Sequence, residues 1–112
     1  MDCLIIKHEP LQKILQGKKC WELRSTKTHK RGRIGLIGSG SGTIVGECEL
    51  VGCTEQLSLA TFLTNRHKHC SRNTTLPYAK TYAWILTNPK LYAKPIHYTH
   101  PQGAIIWVKV KQ

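Results

Sequence analysis

The stretch Gly17-Lys18-Lys19-Cys20-Trp21-Glu22-Leu23-Arg24 joins the end of a helical pattern to the start of a strand and places four charges within eight residues. On an extended chain side chains alternate, so Glu22 and Arg24 share a face with Cys20, while Lys19, Trp21 and Leu23 take the other unless a bulge intervenes. Glu22 and Arg24 are then close enough to pair, and Lys19, at the strand's first residue, can lean in from the turn. If the three converge, one carboxylate that can accept from a base edge sits among two cations suited to phosphate. The alternative is a salt bridge that ties the sheet together, with Lys19 in solvent.

Working outward, Cys3 to Lys7 (CLIIK) is a β-rich run, and Glu9 to Gln16 carries Leu11, Ile14 and Leu15 at the spacing of one helical face. Pro10 suits a first helical turn and Gly17 a helix stop. Lys19 to Arg24 predicts the second strand, Arg33 to Gly38 a third and Thr43 to Val51 a fourth. The Ser39 to Gly42 turn (SGSG) makes the last two a hairpin. Leu57 to Asn65 predicts a second helix, with Ser58 as N-cap, that runs into Arg66 to His69, basic residues suited to a helix C-terminus. Three late runs, Thr81 to Leu86, Leu91 to His97 and Ala104 to Val110, predict strands, and Pro95 puts the middle one at an edge. Five to seven short strands with two or more short helices in 112 residues predict an α+β domain spanning 1–112, built as a small β-barrel or strongly curved sheet.

Lys and Arg number 17 against 6 Asp and Glu, a formal charge of +11, so the molecule attracts polyanions and nucleic acid leads among its expected partners. No run reaches the length of a membrane span, no basic amphipathic helix is evident, and Met1-Asp2-Cys3 does not begin a secretory leader, so a cytoplasmic protein without membrane partners is expected. Cys3, Cys20, Cys48, Cys53 and Cys70 are odd in number and scattered, which fits reduced thiols. His67, His69 and Cys70 lie near one another in sequence, but no Cys-x-x-Cys spacing accompanies them, so neither a metal nor a cofactor is expected.

Within this frame, G-x-K-x-x-E-x-R over Gly17 to Arg24 resembles the ASCH domain family. The resemblance continues through Gly32-Arg33-Ile34, Ile44-Val45-Gly46, Leu50-Val51-Gly52-Cys53, Tyr82-Ala83-Trp84 with Asn88-Pro89, and Gly103-Ala104 with Trp107. It implies a PUA-like barrel and a cleft, lined by the motif, for RNA or another nucleic acid, with a modified nucleoside as a further ligand. His8 and Pro10 fall at the implied rim. The apolar loop-free stretches around Trp84 and Trp107 make these two core residues, whereas Trp21, Tyr78 and Tyr82 are candidates to stack on a base. Ser25 to Arg31 has no apolar residue, and Lys27, Lys30, Arg31 and Arg33 form either a phosphate patch or a solvated charge run.

Some ASCH-type proteins are amidohydrolases of N4-acetylcytidine in which a Lys and a Thr of this motif act together. Lys19 stands at the first position, but Glu22 occupies the place of the Thr, so the nucleophile is missing. Hydrolysis would then fall to Lys19 and to water activated by Glu22. The resemblance also admits metal-independent cleavage of single-stranded RNA, with Lys19, a tyrosine and a hydroxyl such as Ser25 as candidates and His8 or His29 as acid or base. No strained nucleophile or carboxylate pair marks chemistry, so binding ranks ahead of catalysis, and a protein-interaction surface ranks third.

Overall fold

The computed structural model of the chain describes residues 1–111. Its elements are, in order, β1 (Asp2–Ile6), α1 (His8–Leu15), β2 (Trp21–Arg24), β3 (Gly32–Gly38), β4 (Thr43–Cys53), α2 (Leu59–Thr64), α3 (Arg66–His69), β5 (Tyr82–His97) and β6 (Trp107–Lys109). The strands form one six-stranded sheet in the order β2-β5-β4-β3-β1-β6. Only β1 and β3 run parallel, and the other pairings are antiparallel. The sheet curls into a partly open barrel: among the described residues no ladder joins β2 to β6, the two ends of the order. The expected α+β fold of five to seven strands is therefore present with six strands and three short helices.

The curl comes from β4 and β5, whose pairing shifts register at three places. Each shift bends the pair and raises its twist. Asn88, with φ of 52°, and Pro89 lie along this bend, and the two strands expected at 81–86 and 91–97 are in fact one strand passing through it. Gly46 is required in this pair, because a Cβ there would clash with the carbonyl oxygen of Lys90. Beyond Ile85, β5 pairs with β4 alone. Pro95 thus sits on an edge, where its missing N–H is tolerated.

The main core packs Leu4 and Ile6 of β1, Leu11 and Ile14 of α1, Ile34 and Leu36 of β3, Leu50 of β4, and Trp84 and Leu86 of β5. Leu11 and Ile14 are the face that the helical spacing predicts. Gly17, at φ of 77°, ends the turn after α1, a left-handed conformation that glycine adopts without strain. The Ser58 hydroxyl accepts from the Thr61 N–H at 3.1 Å and caps α2 as expected. The expected single helix breaks at Asn65, whose backbone leaves the helical region, and a separate four-residue α3 follows. β6 is shorter than the expected 104–110 because the chain is still turning at Ala104, whose N–H donates to the Pro101 carbonyl at 3.2 Å. No helix among the described residues is long and apolar enough to cross a membrane.

Candidate nucleic-acid cleft

β2 starts only at Trp21, so Lys18 to Cys20 form the turn that delivers it. The Cys20 N–H donates to the Lys68 carbonyl at 2.9 Å, and its own carbonyl accepts from the Leu86 N–H at 2.8 Å, which fixes this turn between α3 and β5. Because Lys19 lies before the strand, it does not follow the alternation. Its side chain leans in from the turn to the face of Glu22, so the three charges converge, and the alternative with Lys19 in solvent does not hold.

Lys19 is only 7 % exposed and Glu22 6 %. The Lys19 Nζ donates to the carbonyls of Trp21 at 2.7 Å and His69 at 2.8 Å, and faces Glu22 Oε1 at 3.5 Å. The other oxygen, Oε2, accepts from Arg24 Nη2 at 2.8 Å and Nε at 3.2 Å. Arg24 Nη2 also donates to the Ile5 carbonyl at 2.9 Å, and the guanidinium lies 5.5 Å from the centre of the Trp84 ring. Burial pushes the Lys19 ammonium below its usual pKa, and the Glu22 charge acts in the opposite direction. With oxygen acceptors on three sides, the Lys19 Nζ is held in place beside Glu22. Glu22 keeps acceptor capacity, since an ionised carboxylate has about four lone-pair sites.

His69 holds the far side of this cluster, a role that its place in a basic run beside His67 and Cys70 does not mark. It is buried, and its ring stacks on Phe62 with centroids 4.4 Å apart and planes 5° apart. Nδ1 accepts from the Ser71 N–H at 2.9 Å, so Nε2 carries the proton and donates to the Phe62 carbonyl at 2.7 Å. Burial holds its pKa below the usual histidine value.

Lys19, Glu22 and Arg24 face a cleft of about 320 Å³, at the lower end of the size of ligand sites. Lys19, Glu22, Arg24, Pro10 and Tyr78 of the expected residues line it, and so do Lys7, Leu23, Ser39, Ile5 and Ile105, which were not expected as ligand contacts. Parallel pairing of β1 with β3, with Ile6 opposite Gly38, brings Ser39 here, and such a pairing leaves no local signal. Lys7 is exposed and forms no ion pair among the described residues.

The remaining expected residues lie elsewhere. Trp21 is buried against Leu57 and Ala83, with Lys68 Nζ 5.0 Å from its ring centre, so its face is already covered and it is not a stacking platform. Lys27 pairs with Glu55 at 2.6 Å, Lys30 with Asp2 at 3.0 Å and Arg33 with Glu47 at 2.8 Å. Arg31 donates to the carbonyls of Thr28 and Lys30. His8 and Ser25 are exposed and are not among the cleft-lining residues. Tyr82 lies beneath the Lys27 ammonium, 5.9 Å from its ring centre. Among the described residues no group of three His, Cys, Asp or Glu is placed to hold a metal ion.

A family model, the ASCH domain, matches residues 4–111. Three solved structures from Zymomonas mobilis share the fold. The ASCH protein itself is 16 % identical, with a TM-score of 0.68 over 98 % of this chain and 88 % of its own. A serine-to-alanine variant is 18 % identical, with a TM-score of 0.70 over 99 % and 88 %. A tyrosine-to-phenylalanine variant is 18 % identical, with a TM-score of 0.67 over 98 % and 91 %. None of the curated proteins has a significant sequence match to this chain.

Proposed function

The chain belongs to the ASCH domain family, and on that premise we propose that residues 1–112 act as one domain whose cleft binds single-stranded nucleic acid, RNA in the first place. The observation that carries this reading is the cluster of buried Lys19 and Glu22 with partly buried Arg24, facing a cleft that also offers Lys7, without an ion pair among the described residues, and the half-exposed ring of Tyr78. A base entering this cleft meets a carboxylate that accepts from exocyclic amino groups and a tyrosine face for stacking, while Lys7 meets the backbone phosphate. Flipped or single-stranded bases present those edges, and paired ones do not. A modified nucleoside is a smaller ligand with the same chemistry. The five cysteines are free, as suits a reducing compartment, and we place the protein in the cytoplasm.

A catalytic reading rests on the Lys19 amine, which burial makes easier to deprotonate, and on the hydroxyl-bearing Ser39 and Tyr78 in the same cleft. As a base, Lys19 would have to give up a proton while bonded to two carbonyls, and Glu22, the other candidate base, is held by Arg24 and Lys19, which weighs against it. One experiment separates the readings. End-labelled single-stranded RNA is incubated in EDTA with the wild type, Lys19→Met and Lys7→Glu, then run on native and denaturing gels. A salt-sensitive shift of intact RNA that Lys7→Glu weakens is expected. Cleavage lost in Lys19→Met would make the protein a metal-independent ribonuclease, and no shift at all would overturn RNA binding.

A further inference from the structure

The cleft does not end at Ser39. Ile5, Ser39 and Ile105 also line a second cavity of about 410 Å³, closed on its other side by Tyr98, His100 and Ala104 with the Gly40–Gly42 turn beneath. The two cavities therefore share a wall and form one groove. We propose that this groove is bipartite, and that its second half takes the base next to the one in the cleft, so that the preferred ligand is a dinucleotide step of a single strand. The proposal rests on the reading of the cleft given above.

The chemistry of the two halves differs in the way that such a ligand requires. The first half is charged, whereas no Lys or Arg lines the second, which presents two aliphatic side chains and two rings. Such a lining suits the faces of a base and not a phosphate. The rings are held in place: the Tyr98 hydroxyl lies 2.7 Å from His100 Nδ1, and His100 Nε2 lies 2.8 Å from the Ala104 carbonyl. Since Nε2 must donate to that carbonyl, Nδ1 accepts from the tyrosine, and one hydrogen-bond chain fixes Tyr98, His100 and the 104 loop together. Nothing lies within 4 Å of where a Cβ would stand on Gly40 or Gly42, so a flat ring can approach that backbone.

The junction carries the groups that the connecting phosphate needs. Ser39 is exposed and its hydroxyl has no hydrogen-bond partner among the described residues, and Lys7 opens into the adjoining half. Ile105, 78 % exposed, stands at the same junction. The Ile5 N–H donates to the Ile106 carbonyl at 2.9 Å and ties the Ile105 loop to β1. An aliphatic side chain carried on that tethered backbone separates two splayed bases.

The test compares 5′-AMP and 5′-CMP with the dinucleotides pApA and pCpC by titration calorimetry on the wild type, His100→Ala and Ala104→Leu. His100 is exposed, so its truncation spares the core, and Ala104→Leu fills the second half without touching the first. In the wild type each dinucleotide is expected to bind roughly 5- to 150-fold tighter than its mononucleotide, the range that one stacked base supplies. Both variants should remove that advantage and leave mononucleotide binding unchanged. Mononucleotides that bind as tightly as dinucleotides, or variants that weaken both alike, would overturn the bipartite groove and leave the cleft standing. Absence of binding by all four ligands would overturn the cleft reading itself.

Discussion

The turn and strand at 18–24 and the segment at 25–33, a loop that leads into β3, are consecutive and both rich in cations, yet folding treats their charges in opposite ways. In the first, Lys19 and Glu22 are withdrawn from water and Arg24 partly so, and their geometry is set by the Trp21 carbonyl within the segment and by the carbonyls of Ile5 and His69 from two other parts of the chain. In the second, Lys27, Lys30 and Arg33 stay at the surface and pair with Glu55, Asp2 and Glu47. A buried pair is expensive to break because the survivor is left charged and dry, whereas an exposed pair contributes little. Basic composition therefore does not say where a polyanion lands. The loop's charge is largely answered by carboxylates, and the cleft keeps a net excess with Lys7 beside it.

The largest effect is expected in the buried cluster. Glu22→Ala leaves Lys19 and Arg24 facing each other without a counter-charge, and should cost about 3–5 kcal/mol in denaturant unfolding. A midpoint near that of the wild type would erase the distinction between the two regions. Removing the support behind the cluster comes next: His69→Ala loses the Phe62 stack and two hydrogen bonds, for about 3 kcal/mol at pH 7.5. The pH dependence has a definite sign. With its native pKa held below 6.5, His69 in the unfolded chain takes up a proton first as pH falls through 6.5, so the native state loses stability down to the native pKa. The gap between wild type and His69→Ala should narrow on acidification, and a gap that widens would contradict a buried neutral imidazole.

Effects at the surface should be smallest in stability and visible only in binding. Lys27→Ala and Arg33→Ala are expected to leave the unfolding midpoint close to that of the wild type. In RNA affinity measured against salt, Lys7→Ala should reduce the log–log slope by about 0.7, the contribution of one neutralised phosphate on a single strand. Lys27→Ala should reduce it less, and the reverse order would move the binding surface to the loop.

How much of this was legible in the sequence follows the same division. Periodicity located α1 through Leu11 and Ile14, the SGSG turn located the β3–β4 hairpin, and Ser58 located the start of α2, because each signal is local. The pairing of Glu22 with Arg24 was also legible, since two residues apart on a strand means one face. Lys19 was harder: its direction depends on where β2 begins, which is set by the Cys20 backbone bonds to Lys68 and Leu86. Trp21 looked like a free ring because nothing nearby in sequence shows that Leu57, Ala83 and Lys68 cover it. Ser39, Ile105 and His69 join the site only through contacts between distant segments. The loop cations were counted correctly and located correctly, but their partners Asp2, Glu47 and Glu55 are remote in the chain, so their neutralisation had no local mark.

The two regions can be set against each other in a single titration of the isotopically labelled protein with unlabelled single-stranded RNA, followed through backbone amide NMR shifts. The account predicts that the amides of Ile5, Lys7, Leu23, Ser39, Tyr78 and Ile105 move together and saturate together, while those of Lys27, Lys30, Arg31 and Arg33 move little. Shifts centred on residues 27–33 with a silent cleft, or no shifts anywhere, would contradict it.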